Sequence, residues 1–274
     1  MRVVELTVPV ADVEIATDRL WCAGAQAVEE CEPSGGLVRL RTVLAADHQL
    51  TTDRLGPLGT AWLLAHIELD DEPAQTWRAF ATPIRVSPTL MVVPAWQPLP
   101  GDEGDAVTVL IEPGAAFGLG DHPTTRLAAA ATERLVPVSG SVLDVGCGTG
   151  VLAVIAARLG AAHVLGIDIA DAAVEATIDN ARRNSVADAV EASSMPVESV
   201  EGVFDLVLAN ILAPALVAMA PSLRRVTAPH GTLVISGVLD DGFDHVVAAL
   251  QPMRVDRVER LEGWAAVELR HIEE

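Results

Sequence analysis

The run Val142-Leu143-Asp144-Val145-Gly146-Cys147-Gly148-Thr149-Gly150 constrains this chain more than any other stretch. Apolar residues and one carboxylate lead straight into a glycine-rich turn. A helical apolar pattern follows at once, with Val151, Leu152, Ala153, Ile155, Ala156 and Leu159, and Gly160 stops it. The pattern predicts strand, tight turn, helix. Glycines let a backbone approach a ligand closely, and a helix N-terminus presents unpaired N–H groups there. Asp168 lies 18 residues beyond Gly150, at the end of a second apolar run, Val164-Leu165-Gly166-Ile167. An acid at the end of the second strand of such a unit is placed to accept hydrogen bonds from ribose hydroxyls. A nucleoside-bearing cofactor over a parallel sheet is therefore expected.

The spacing narrows the cofactor. The dinucleotide fingerprint is Gly-x-Gly-x-x-Gly, whereas Gly146, Gly148 and Gly150 alternate and Val151 stands where a third glycine would be needed. Asp144, just ahead of the turn, would repel a pyrophosphate. A carboxylate there suits a cofactor with a cationic end, such as the ammonium and sulfonium of S-adenosylmethionine. S-adenosylmethionine is expected in preference to NAD. A ligand-free glycine turn would leave the spacing of Asp168 without a reason.

With 274 residues, half of them apolar, the chain has room for one large domain and a small one. No apolar run reaches the roughly 18 residues of a membrane span, and Glu5 comes too early for a signal peptide. Cys22, Cys31 and Cys147 have no metal-ligand spacing and fit a reducing cytoplasm, with no metal expected. Cys147, with no base nearby in sequence, reads as a small filler. The net charge is −20, from 38 acids against 18 bases, all of them Arg. Codon bias with some salt adaptation accounts for such a balance. An acidic surface also attracts a basic partner and repels nucleic acid.

Residues 1–71 read as a small domain of order β-α-β-β-α-β, a ferredoxin-like unit. Its strands are expected at Val3–Val8, Ala27–Cys31, Leu37–Val43 and Ala61–Leu69, with helices from Asp12 to Ala23, capped by Asp12, and from Ala45 to Leu55. Residues 72–104 form a connector with six prolines between Pro73 and Pro100, a short helix and a strand or two. Residues 105–274 alternate strands and helices, which predicts a doubly wound, Rossmann-like parallel sheet. Val107–Ile111 is a further expected strand. The last two strands, Val255–Leu261 and Trp264–Arg270, are split only by Glu262-Gly263 and predict an antiparallel hairpin at one end of that sheet.

Two further stretches carry chemistry. Pro113 to Thr125 holds three glycines, His122 and paired threonines ahead of a helix. Thr124 or Thr125 can cap that helix and reach a ligand, and the glycine content predicts a flap over the cofactor. Asn210, in Ala209-Asn210-Ile211-Leu212-Ala213-Pro214, sits at the carboxyl end of the fourth strand, on the rim where open α/β sheets bind ligands. Its amide can accept a hydrogen bond from an incoming amine or donate one to the cofactor. Enzymes that methylate bases or glutamine usually have prolines and an aromatic where Ile211 and Leu212 stand. Their absence argues against a flipped base, as does the acidic charge, so no nucleic-acid partner is expected.

The chain resembles the PrmA family, the methyltransferases of large-subunit ribosomal protein L11. Phe117 to Thr125 matches the family loop Phe-Gly-Thr-Gly-Thr-His-Pro-Thr-Thr, with Leu119 and Asp121 in place of threonines. Asp144 to Gly150 matches its turn Asp-x-Gly-Cys-Gly-Ser-Gly, and Ala209 to Leu212 its Ala-Asn-Ile-Leu. Gly166-Ile167-Asp168-Ile169 and the run Asp179 to Asn184 also match, and the likeness extends to the Trp77–Trp96 connector and to Glu262-Gly263-Trp264. It is weakest in residues 1–70, the substrate-recognition domain of the family.

The resemblance implies a class I methyltransferase whose cofactor-binding residues are Thr125, Gly146, Gly148, Asp168 and Asn210. Asn210 and His122 are the candidate catalytic residues. His122 is either a proton acceptor or, in the reading favoured here, a residue that orders the loop. The implied reaction methylates lysine ε-amines or the N-terminal α-amine of ribosomal protein L11, by a cytoplasmic monomer. Another protein lysine or a small amine is the alternative acceptor, and a non-catalytic cofactor-binding scaffold is the third reading.

Overall fold

The computed structural model describes residues 2–22, 25–31, 35–44, 61–68, 81–101, 104–112 and 120–272. Contacts divide the chain into two compact units, Met1–Ala81 and Thr82–Glu274.

The first unit contains β1 (Arg2–Pro9), α1 (Val13–Cys22), β2 (Ala25–Glu30), β3 (Leu37–Leu44) and β4 (Leu63–Glu68). Its strands form one antiparallel sheet in the order β2-β3-β1-β4. Val4, Leu6 and Val8 alternate along β1 and Val38 and Leu40 along β3, so their side chains share one face of the sheet. Ala16 and Leu20, one helical turn apart on α1, pack on that face. The other face carries charged residues among its side chains. Glu5 lies opposite Arg41 in the β1–β3 register, and its carboxylate accepts from the Arg41 Nε at 2.8 Å. Asp12, expected as the cap of α1, accepts the indole N–H of Trp62 at 2.8 Å. The helix expected over Ala45–Leu55 lies outside the described residues.

The second unit contains β5 (Ile84–Ser87), β6 (Leu90–Pro94), β7 (Val107–Ile111), α2 (Pro123–Leu135), β8 (Ser141–Val145), α3 (Val151–Arg158), β9 (His163–Ile167), α4 (Asp171–Arg183) and β10 (Val190–Ser193). It continues through β11 (Phe204–Asn210), α5 (Ala213–Val226), β12 (Thr227–Leu239), α6 (Asp244–Ala249), β13 (Arg254–Leu261) and β14 (Trp264–Arg270). The seven-stranded sheet has the order β10-β9-β8-β11-β12-β14-β13. Strands β10 to β12 are parallel, and β14 runs antiparallel to both β12 and β13. The sheet is therefore mixed, with the expected hairpin at one end and its second strand docked first.

Both faces of this sheet are covered, which is why its strands read as continuous apolar runs. Val142, Leu206 and Leu208 face one layer with α3, while Leu143, Val145, Val207 and Ala209 face the other with Leu216, Leu223 and Val246 of α5 and α6. Helix α3 is buried from Val151 to Ala156. A helix apolar all round needs cover on every side, and a second small sheet helps to provide it. The order there is β5-β6-β7, and Leu90, Val92, Val109 and Ile111 join the α3 core. Val107–Ile111 pairs in parallel with β6 and not with the large sheet. The Pro-rich tract thus contributes two strands to this unit, whereas the short helix expected there lies outside the described residues. The outer strand β13 is largely exposed and carries Asp256, Arg257, Glu259 and Arg260, charges that discourage further strand pairing. No described helix is long and apolar enough to cross a membrane.

Candidate functional site

The carboxyl ends of β8, β9 and β11 meet at one rim. At its centre the turn after β8 has Gly146, Gly148 and Gly150 at φ of 73°, 54° and 76°. These left-handed values favour glycine. The space is closed as well. A Cβ on Gly146 would lie 2.3 Å from Cγ2 of Ile211, and one on Gly150 would lie 2.8 Å from the Thr177 side chain. The N–H groups of Gly146 and Cys147 both donate to Ile167 O, at 2.8 and 3.0 Å, which ties the turn to β9. Gly146→Ala is expected to destabilise the protein by about 2–4 kcal/mol through strain and overpacking. Denaturant unfolding checks this, and a loss below about 1 kcal/mol would contradict the close fit.

Two carboxylates flank the turn. Asp168 Oδ2 accepts from the Gly148 N–H and Oδ1 from the Ala170 N–H, each at 3.0 Å. The residue stays partly exposed. A carboxylate offers about four acceptor sites, so Asp168 keeps capacity for a ligand while it anchors the turn. Asp144 is 1% exposed, and its Oδ2 accepts from the Ala153 N–H at 3.2 Å. It therefore caps α3, whose N-cap Gly150 has no side chain to do so. The sequence reading gave Asp144 a cationic ligand alone, and the structure adds this capping role. Burial pushes its pKa up to about 7, the Ala153 hydrogen bond opposes this, and the charge of Asp168 adds to it. Cys147 is buried and takes a hydrogen bond from Thr177 Oγ1 at 3.2 Å. Burial pushes its thiol up, away from a reactive thiolate.

Thr125 and Asn210, 85 residues apart, meet at this rim, where Asn210 Nδ2 donates to Thr125 Oγ1 at 3.4 Å. Helix α2 holds Thr125 in place. His122 is its N-cap, with Nδ1 accepting the Thr124 N–H at 3.3 Å and lying 2.8 Å from Thr124 Oγ1. Burial lowers the His122 pKa against the opposing charges of Asp121 and Glu262, which favours the neutral ring that a cap requires. Its ring meets Trp264 edge-on, with centroids 5.0 Å apart. Ser236 Oγ lies 3.1 Å from Thr124 O and 3.2 Å from Ala265 O, joining α2, β12 and β14. Of the flap expected over Pro113–Thr125, residues 113–119 lie outside the described residues. Gly120 onward is described, and Gly120 packs on Val92 and Ile84.

Sequence reasoning gave no role to two amides of the run Asp179 to Asn184 or to two apolar residues. Asn180 on α4 donates to Thr149 O at 2.9 Å and to Glu112 O at 2.8 Å, and accepts the Glu112 N–H at 2.9 Å. Asn184, one turn on, brackets Leu110 in the same way. Together they clamp the end of β7 to the glycine turn. Their i,i+4 spacing marks one helix face and was the available signal. Ile169 is 94% exposed and Met195 37%. The register pairs Ile167 with Ser193, so each follows two residues past a matched position on adjacent strands. Both are exposed apolar residues just past the carboxyl ends of the strands beside Asp168, a type of side chain that suits a flat base. Glycines that clear space, a carboxylate with spare acceptors and these residues together fit an adenosyl cofactor.

A family model described as ribosomal protein L11 methyltransferase (PrmA) matches residues 45–271. The ribosomal protein L11 methyltransferase of Pelotomaculum thermopropionicum is 36% identical over 261 residues, covering 91% of this chain and 84% of that protein. The one from Chromohalobacter salexigens is 37% identical over 266 residues, covering 94% and 85%. Among solved structures, ribosomal protein L11 methylase from Lactobacillus delbrueckii subsp. bulgaricus is similar at 32% identity with a TM-score of 0.64, covering 70% of this chain and 100% of that one.

Proposed function

The chain belongs to the ribosomal protein L11 methyltransferase (PrmA) family, and on that premise we propose how its own residues serve the reaction. The enzyme is an S-adenosylmethionine-dependent protein N-methyltransferase that modifies lysine ε-amines or the N-terminal α-amine of ribosomal protein L11. The observation that carries the residue assignment is the meeting of the glycine turn, Asp168 and the Thr125–Asn210 pair on one sheet rim.

When bound, the cofactor supplies a methyl group made electrophilic by its sulfonium. Asp168 would receive the ribose hydroxyls, and Ile169 and Met195 would flank the adenine. Gly146 and Gly148 have already donated their N–H groups to Ile167 and Asp168. They therefore serve by lacking a Cβ and not as donors. Asp144 and Asp168 would supply negative potential for the cofactor's cationic end. Asn210 directs its Oδ1 toward the incoming amine, because its Nδ2 is held by Thr125. The amine must arrive neutral, and burial beside a cation lowers its pKa. Its proton can leave to water before entry, so no dedicated base is required, and positioning supplies most of the acceleration. His122 positions Thr125 by capping α2. With Nδ1 so engaged, it is not assigned as the proton acceptor.

We read the first unit as a ferredoxin-like recognition domain. Its strand order β2-β3-β1-β4 supports this, and the family match begins at residue 45, after β3. The net charge of −20 suits a basic protein substrate and not nucleic acid. We place the enzyme in the cytoplasm as a monomer.

Asn210→Ala tests the assignment. Turnover is expected to fall about 100-fold, while the melting temperature changes little. Equal loss of stability and rate would make Asn210 structural.

A further inference from the structure

We propose that the amino-terminal end of the parallel strands carries a binding site for an organic phosphate, built on Arg224 and Arg225 and separate from the rim that bears Asn210. The inference stands independently of the methyl-transfer reading. The first residues of β11 and β12 pair at this end, Phe204 with Thr227. Strand β14 runs the other way, with Arg270 opposite Thr232, so its end returns to the same place. There the His271 Nε2–H donates to Thr227 O at 3.1 Å. The last turn of α5 adds Arg224 and Arg225. These elements border an open cleft of about 690 Å³, lined by both arginines and by His230 and His271. Its size falls within the roughly 300–1,000 Å³ of small-molecule pockets.

Charge names the ligand. Acids outnumber arginines 38 to 18 in this chain, yet no described carboxylate lines the cleft. Among the described residues neither arginine has a carboxylate partner, and neutral carbonyls hold both. Arg225 Nη1 donates to Val200 O at 2.8 Å, and its Nη2 donates to Val197 O at 2.9 Å and Glu198 O at 3.2 Å. Arg224 Nη1 donates to Gln251 O, while its Nε is buried without a partner, which leaves a donor unmet. Carbonyls position a guanidinium without neutralising it. The carboxyl end of α5 offsets only about half a unit charge, against two on the arginines. A positive potential therefore remains in the cleft of an otherwise acidic protein. A doubly charged oxyanion answers it, and the planar guanidinium fork suits phosphate. Val203, Pro229 and Ile272 complete the lining, so the preferred ligand brings an apolar body with its phosphate.

The test is calorimetric titration of the full-length chain with phenyl phosphate, inorganic phosphate and phenol, in the presence of saturating S-adenosylmethionine. A single molecule of phenyl phosphate is expected to bind, more tightly than inorganic phosphate, and phenol is expected not to bind. Arg224→Gln should weaken phenyl phosphate binding at least about tenfold, since it removes a charge-assisted contact. Arg182→Gln, at an exposed position on α4, should leave it unchanged. In the wild type, the NMR signals of His230 and His271 should move on titration while those of His122 stay in place, a readout that holds even where Arg224→Gln fails to fold. Absence of binding, equal binding by Arg224→Gln, or shifts confined to His122 would overturn the proposal. Equal affinity for phenyl phosphate and inorganic phosphate would mean an adventitious ion only, and would overturn it as well.

Discussion

Asp144→Asn is expected to make the protein more stable at pH 8 and weaker in cofactor binding. Asp144 is buried at the end of β8, and that burial raises its pKa to about 7, against about 3.9 for a free aspartate. A folded value above the unfolded one means that the stability contribution is full below about pH 4 and is lost as pH rises through 7. By linkage the difference is up to about 4 kcal/mol. Asparagine removes the charge but keeps an oxygen for the Ala153 N–H, so the cap of α3 survives. Burying the amide nitrogen offsets part of the gain, leaving about 2 kcal/mol at pH 8 and none near pH 4.

Binding should move the other way. A cationic cofactor gains from an ionised Asp144, so wild-type affinity should rise as pH passes upward through about 7, and Asp144→Asn should lose both the rise and about tenfold in affinity. Scanning calorimetry at pH 5 and pH 8 with cofactor titrations checks both halves. Equal melting temperatures at pH 8 would show that the buried charge carries no such cost.

Asp168→Ala has the second large effect. Each hydrogen bond from a ribose hydroxyl to a carboxylate contributes about 1.5–3 kcal/mol, so cofactor affinity should fall by about 10- to 100-fold. The substitution also frees the Gly148 and Ala170 N–H groups that Asp168 now receives, so a modest drop in melting temperature should accompany it. Asp168→Asn keeps one acceptor oxygen and should lie between. Unchanged affinity in Asp168→Ala by titration calorimetry would refute the ribose role.

The parts of this site that could be read in the sequence are those whose constraints are local. The turn at Gly146–Gly150 and Asp168 belong to one βα unit, and a steric requirement sits on the very residues that reveal it. Thr125 and Asn210 lie 85 residues apart, so only likeness to a family joined them before the fold did. Asp144 was visible as a charge, but its capping of α3 depends on how the helix packs behind the turn. Asn180 and Asn184 stayed hidden because helix amides look like solvent-facing residues until β7 is placed against them. The hairpin of β13 and β14 was legible from its turn, whereas the docking of β14 against β12 depends on which strand buries more. Val255 is exposed while Trp264–Arg270 is buried from Ala265 to Leu269.

The account's central claim is that the rim around Gly146, Asp168 and Asn210 transfers a methyl group to an amine of ribosomal protein L11. Incubation of the purified chain with methyl-labelled S-adenosylmethionine and unmethylated L11 tests it most directly. Label is expected on L11 amines with the wild type and about 100-fold more slowly with Asn210→Ala. No transfer by the wild type with L11 in excess would contradict the claim, and equal transfer by Asn210→Ala would contradict its placement at this rim.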